Sequence, residues 1–265
     1  MGSATREALA SARAALTAQG GKADLATGEG LLSAARIIGR SKQLLSAVAD
    51  NGADPASKAA LVDAVFGSSV TPSALALLKK VSSEHWSRHQ DVLAAVEELG
   101  IRAIAASAPA GASVADELFA FGRAIESNSE LELALISKLG SNEAKVNLLD
   151  SLLGGKAAPQ TVSILSHLVQ QPRGRRIGEL LRYAGAIVAD EAGFAVATVT
   201  SARPIDAAQL DRLAGSLSGR YGTRLRINQV VDPTMIGGLR VQVGDDVIDG
   251  SIAKRLGDLR LQLAG

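Results

Sequence analysis

An internal repeat constrains this chain more than any other feature. Residues 31–93 align with 118–180 at a constant offset of 87 with no gap, and 13 of the 63 paired positions are identical. Unrelated sequences of average composition would share about four. The clearest block sets KAALVDAVFGSSVTP (58–72) against KVNLLDSLLGGKAAP (145–159). Lys58, Leu61, Asp63, Gly67 and Pro72 recur as Lys145, Leu148, Asp150, Gly154 and Pro159. Arg36 recurs as Arg123, and Arg88 as Arg175. Many other pairs exchange one aliphatic residue for another, so one helical unit is expected to occur twice.

The unit reads as amphipathic helices with short connections. Residues 4–18 place Ala8, Leu9, Ala12, Ala15 and Leu16 on one face. A helix over 55–66 starts at Asp54-Pro55, a cap followed by the residue favoured at the first helical position, and stops at Gly67. Thr71-Pro72 opens another, with Leu75, Leu78 and Val81 on one side; Val162, Leu165 and Leu168 take those places in the second copy. Ile177, Leu180, Leu181, Ala184, Ile187 and Val188 form the stripe of its last helix. The corresponding helix of the first copy, 88–107, also coincides at the same offset with the opening helix of the second. One helical region can therefore serve both copies, or the second copy lacks a first helix. APAGAS (108–113) is the candidate linker. Aromatic residues are only 3% of a chain that is 47% hydrophobic, which favours closely packed Ala/Leu helices over a β-sandwich.

After Gly193 the texture changes. FAVATVTSA and RLRINQVV are β-branched and strand-like. Between them IDAAQLDRLAGSLSGRYG reads as a helix capped by Asp206, with Gln209 three residues on and Leu210, Leu213 and Leu217 as its stripe. Asp232-Pro233 then turns the chain, Gly237-Gly238 leads into a strand, and Leu239, Val241 and Val243 alternate with Arg240 and Gln242. Residues 244–246 (GDD) make a hairpin turn, Asp249-Gly250 turns again, and Ser251 caps a final helix whose Ile252, Leu256, Leu259 and Leu263 share a face. The expected fold is mainly α with a small α/β carboxyl-terminal domain: helical-bundle units over 1–107 and 108–192, and a short-strand α/β module over 193–265.

Several function classes are disfavoured. The net charge is +1, and the segments 1–113, 114–195 and 196–265 carry +1, −2 and +2, so no segment is a polyanion-binding arm. Without cysteine there is no disulfide, thiolate catalysis or Cys-based metal site. MGSATREALASARAAL is charged throughout, so no signal peptide is expected. The longest uncharged run, 157–172, is broken by Pro, Gln and Ser, whereas a membrane span needs ~20 mostly apolar residues.

The stretch DPTMIGGLRVQVGDDVIDGSIAKRL resembles the carboxyl-terminal signature of the δ subunit of F-type ATP synthase, whose mitochondrial counterpart is the oligomycin-sensitivity-conferring protein. The matching positions include Leu225, Ile227, Val231, Asp232, Pro233, Ile236, Gly237, Gly238, Leu239, Val241, Asp249, Gly250 and Ser251. The likeness runs over about 114–265. Family members usually carry one helical unit; the extra one is similar to the duplicated arrangement of actinobacterial proteins, some of them fused to the membrane-anchored b subunit. The resemblance implies a non-catalytic stator role, at the cytoplasmic face of the cell membrane and without direct membrane insertion. The helical domain would accept amino-terminal helices of α subunits, and the smaller domain would bind the carboxyl-terminal end of a b-type stalk. No cofactor, metal or catalytic residue is implied.

A helical unit can accept an amphipathic helix in a groove. The candidate groove residues are Leu9, Leu16, Leu75 and Leu78 on helices 4–18 and 72–84, and Val162 and Leu165 in the second copy, where 91–107 and 159–171 are the candidate elements. Other candidates are weaker. His85 and His89 lie four apart, too few for a catalytic zinc site. LLGGKAAP lacks the upstream glycine of a phosphate loop and has Ala157 where Ser or Thr would hold magnesium. RGRR (173–176) reads as a solvated helix start with a protein contact left open. Asp245, Asp246 and Asp249 sit where turns favour Asp anyway, and Trp86 reads as packing. The rival function is a nucleic-acid-binding module using Arg220, Arg224, Arg226 and Arg240. An enzyme with a site assembled across domains ranks below it, because no activated nucleophile is visible.

Overall fold

The computed structural model describes residues 2–137, 140–244 and 246–256. It divides into two compact units, Met1–Val188 and Ala189–Gly265.

The first unit is helical. Copy one of the repeat supplies α1 (Ser3–Gln19), α2 (Leu25–Arg40), α3 (Lys42–Ala49), α4 (Pro55–Phe66) and α5 (Pro72–Ser83). Then come α6 (His89–Ala106), α7 (Val114–Glu126), α8 (Ser129–Ile136), α9 (Asn142–Leu153), α10 (Pro159–Gln170) and α11 (Ile177–Glu191). Shifted by 87, α3, α4 and α5 fall on α8, α9 and α10 with identical ends. α1 falls on α6, α2 on α7 and α6 on α11 to within two residues. So α6 is both the last helix of copy one and the first of copy two.

Local chemistry explains why the ends coincide. Ser41 and Asp54 accept the backbone N–H of Leu44 and Ser57; their counterparts Asn128 and Ser141 accept those of Leu131 and Ala144. An oxygen-bearing side chain at the first position satisfies an N–H that the helix cannot. The cores repeat too: Val48, Val62, Leu77 and Leu78 are buried, and so are Leu135, Leu149, Ile164 and Leu165.

A helix that belongs to two bundles has no solvent side. Along α6, residues 91–93 and 95–104 are all buried, including Asp91, Glu97, Glu98 and Arg102. α6 packs against α1, α2, α3 and α5 of copy one and against α10 of copy two. A Cβ on Gly28 of α2 would stand 2.8 Å from the carbonyl oxygen of Gly100 on α6, so these two helices meet backbone to backbone. The expected boundary at 107/108 is therefore not a division between separate bodies: helices from both sides of APAGAS lie in one compact unit.

The second unit holds β1 (Ala195–Ser201), α12 (Ala207–Tyr221), β2 (Leu225–Val231), β3 (Leu239–Val243) and β4 (Asp246–Asp249). The sheet order is β2-β1-β3-β4; β1 and β2 run parallel, and the other neighbours are antiparallel. Parallel neighbours need a crossover, and α12 supplies it. Asp206 caps α12 by accepting from Gln209 N, and Gly222 ends it at φ 66°. Ala197, Val199, Leu225 and Val241 form the buried face of the sheet with Leu217 of α12. A final helix begins at Ile252; its expected Leu259 and Leu263, like Asp245 of the hairpin turn, lie outside the described residues. Among the described residues no helix is long and apolar enough to cross a membrane.

Candidate partner-binding site

The signature residues form one joint. Asp232 leaves β2 with its N–H on the Ser201 carbonyl, while its carboxylate accepts from the Thr234 N–H at 2.9 Å and the Thr234 hydroxyl at 2.6 Å. These bonds hold the Asp232 carboxyl below the usual carboxylate range. The turn beyond it closes on the far end of β4. Ile252 N donates to the Gly237 carbonyl at 3.0 Å, and Gly250 N to the Leu239 carbonyl at 2.9 Å. Asp249 accepts from Ser251 N, and the Ser251 hydroxyl caps the last helix at Lys254 N. Gly238, at φ 86°, has no room for a side chain: a Cβ would stand 2.5 Å from the Gly250 carbonyl oxygen.

What this joint displays is apolar. Ile236 is 72% exposed, and Leu239 and Ile252 are also exposed. The backbone bonds just described bring the three to one end of the sheet. Of the signature, Val241 and Ser251 are buried, Asp232, Gly237 and Gly250 are half-buried, and Pro233, Gly238 and Asp249 are exposed. Glycines and Asp turns thus build a platform for aliphatic side chains that stay exposed among the described residues.

In the helical unit, four of the six candidate groove residues are core. Leu9, Leu16 and Leu78 lie inside copy one, and Leu165 is fully buried in copy two. Their stripe is satisfied by the chain's own helices, so they line no open groove. The face of 91–107 is closed as well, because α6 is enclosed by both copies. Leu75 and Val162 remain, both half-buried. They occupy the same repeat position, on α5 and on α10. Val162 lines a cleft of about 470 Å³ between α2 and the α9–α10 corner, with Leu32, Arg36, Pro159 and His167 among its walls.

A charged network joins the copies beneath that cleft. Glu97 of α6 meets His167 of α10 at 3.0 Å and Arg173 of the α10–α11 connection. The next residue along α6, Glu98, pairs with Arg13 of α1 at 2.6 Å and with Arg102 at 2.8 Å. Arg175 lies over the Tyr183 ring at 5.1 Å. Burial, with the negative charges of Glu97 and Glu98, lifts the Tyr183 hydroxyl well above its usual range. RGRR is therefore not a solvated helix start; Arg173 and Arg175 turn inward to partners elsewhere in the unit.

The other candidates sit apart from any site. His85 lies in the α5–α6 connection and His89 is the first residue of α6, so they do not share a helical face; both are exposed, and His89 is within 3.4 Å of the Ser46 hydroxyl. Among the described residues no group of three or more His, Cys, Asp or Glu could hold a metal. Lys156 of LLGGKAAP folds back on the Leu152 carbonyl as a helix stop. Asp246 accepts from the Tyr221 hydroxyl at 2.6 Å, and Trp86 is buried with its N–H on the Val81 carbonyl. Three of the four arginines of the nucleic-acid reading do not share one face. Arg226 and Arg240 stand on the outer face of the sheet, whereas Arg220 rides on the helix that covers the opposite face. Arg226 lies 5.2 Å from the Phe194 ring.

Residues 101–263 match the family model described as ATP synthase delta (OSCP) subunit. The ATP synthase subunit delta of Leifsonia xyli is 54% identical over 265 residues, covering 100% of both chains. That of Streptomyces griseus is 39% identical, again over 100% of each chain. Among solved structures, a chain of the Toxoplasma gondii mitochondrial ATP synthase hexamer is 25% identical with a TM-score of 0.38, covering 57% of this chain and 86% of that one. With a family match over more than half its length and full-length kinship to bacterial delta subunits, this chain belongs to the ATP synthase delta (OSCP) subunit family.

Proposed function

We propose that the chain is a non-catalytic peripheral-stalk subunit of F-type ATP synthase. It ties the α subunits of the catalytic head to a b-type stalk, so that the head does not turn with the rotor during proton-driven synthesis. The observation that carries this reading is the kinship with ATP synthase delta subunits across 100% of both chains. The role needs no cofactor, metal or catalytic residue, only surfaces that hold other helices under load at the cytoplasmic face of the membrane.

Two faces suit the two jobs. Toward the head, Leu75 on α5 and Val162 on α10 are the equivalent half-buried aliphatics on which amino-terminal helices of α subunits would settle. Fully burying an exposed aliphatic side chain is worth ~1.5–3 kcal/mol; these anchors start half-buried and gain less, while association costs ~4–15 kcal/mol, so one contact alone binds modestly. Two linked grooves gain through effective concentration. Toward the stalk, Ile236, Leu239 and Ile252 offer a rigid apolar platform to the end of a b-type helix.

A pull-down from membrane extract tests the reading: recovery of α, β and b-type subunits is expected, and a bait that brings down none of them overturns it. Removing residues 1–90 would strip α1–α5 from α6, so substitutions are the finer probe of the two-groove idea. Leu75→Glu and Val162→Glu together should weaken head binding more than roughly tenfold. Unchanged affinity in the double variant would refute it.

A further inference from the structure

His167 is 1% exposed, yet its ring touches both copies of the repeat and a charge on each side. Its Nδ1 lies 3.2 Å from a terminal nitrogen of Arg36, on α2 of copy one. Its Nε2 lies 3.0 Å from the Glu97 carboxylate, on the shared helix α6. A guanidinium can only donate, so Nδ1 must accept, and the ring proton must sit on Nε2, donated to Glu97. Both contacts are satisfied only by the neutral Nε2–H tautomer. A second proton would have to enter at Nδ1, where it would displace the Arg36 bond and face a guanidinium.

We propose that the chain Arg36–His167–Glu97–Arg173 is an acid-released latch that holds α2 of copy one against α10 of copy two. The packed elements set its charge balance: α7 brings Glu117, which accepts from Thr161 and the Ala158 N–H, and Glu98 of α6 is taken up by Arg13 and Arg102. α2 brings Arg36, with Arg40 nearby, and α6 brings Glu97. The α10–α11 connection brings Arg173, flanked by Arg175, and α11 brings the neutral Tyr183. Glu29 and Asp150 line the cleft into which Arg36 and His167 also look. A protonated ring would thus sit between two guanidinium groups with Glu97 as the one carboxylate bonded to it among the described residues. Burial, opposed by Glu97 but reinforced by Arg36 and Arg173, holds the His167 ring below its ordinary range. His167 stays neutral while latched and gains a proton once released, so the latch is fully closed above about pH 6.5 and weakens as pH falls below it. Release separates α2 from α10 and widens the cleft that Val162 lines.

The test uses the full chain. Nitrogen-15 NMR of the imidazole at pH 7.5 should show the proton on Nε2. Amide hydrogen exchange in 159–170, corrected for its intrinsic pH dependence, should quicken by more than threefold and up to about 30-fold between pH 7.5 and pH 5.0. The upper figure is the factor for one proton taken up only on opening by a group of pKa about 6.5. In His167→Gln, whose amide can still donate to Glu97 but cannot take the proton, the change should stay below about threefold. A ring protonated on Nδ1 at pH 7.5 overturns the latch, and so does a wild-type acceleration below about threefold. Equal acceleration in His167→Gln does the same. If that variant does not fold, the tautomer and the wild-type exchange decide by themselves.

Discussion

Replacing Gly238 by alanine tests the claim that the signature glycines build the joint of the second unit. The residue sits at φ 86°, where an L side chain costs ~1–2 kcal/mol. The new Cβ would stand 2.5 Å from the Gly250 carbonyl oxygen and 2.8 Å from the Ser251 Cα, both backbone atoms. They cannot give way cheaply. Gly250 N is bonded to the Leu239 carbonyl, and Arg240 is paired with Asp249 in the sheet register. Forcing in a methyl at such a place costs a further ~1–3 kcal/mol. The sum, ~3 kcal/mol within a range of ~2–5, is a large share of what a small unit possesses. Since about 1.4 kcal/mol is tenfold, amide protection in β1, β2 and β3 should fall by roughly a hundredfold or more. Trp86, the single tryptophan of the chain, lies in the helical unit, so its fluorescence transition in denaturant should stay in place. Gly219→Ala is the matched control: it lies within α12, at an ordinary helical φ, and its Cβ would meet nothing within 4 Å. It should raise protection by the ~0.5–1 kcal/mol that alanine gains over glycine in a helix. Strand protection that is the same in Gly238→Ala as in Gly219→Ala would refute the argument.

Two further predictions concern the helical unit. Leu149→Ala, at a fully buried position of copy two, should lower unfolding free energy by ~2–5 kcal/mol in a denaturant titration; a loss under ~1 kcal/mol would place Leu149 outside a packed core. Asp91 ties α6 to α1 by accepting from the Thr5 hydroxyl at 2.6 Å and from Arg88 at 2.9 Å. Burial pushes its carboxyl upward, but the Thr5 and Arg88 bonds prevail and hold it below the ordinary value. Its contribution is therefore present above about pH 4 and is lost as pH falls through the lowered value. Asp91→Asn should cost ~1–3 kcal/mol at neutral pH, with the gap to wild type narrowing toward pH 3; a gap independent of pH would contradict the ionic account.

The two copies of the repeat are equal in sequence register but not in surroundings. Copy two has α2 laid against its α10, at Arg36 and His167, and shares α6 with copy one. The matching positions of copy one, Lys80 on α5 and Ala10 on α1, carry a half-buried cation and an exposed methyl instead of His167 and Glu97.

Much of the architecture was legible in the residues alone. The offset of 87 named matching helices, Asp54-Pro55 and Thr71-Pro72 marked helix starts to the residue, and β-branched runs marked strands, with Gly237-Gly238 leading into one of them. These features are local: caps, turn glycines and apolar periodicity act within a few residues, so their physics is written in the neighbouring letters. What a stripe of leucines faces is not local. Leu9, Leu16, Leu78 and Leu165 show the same periodicity whether they fill a core or line a groove, and only the packed helices decided that they fill the core. The same holds for the charges. Glu97 and His167 are 70 residues apart and Arg36 and His167 are 131 apart, so no spacing rule could pair them. Burial then made each worth holding, because a charge or ring nitrogen removed from water must find its partner inside the protein.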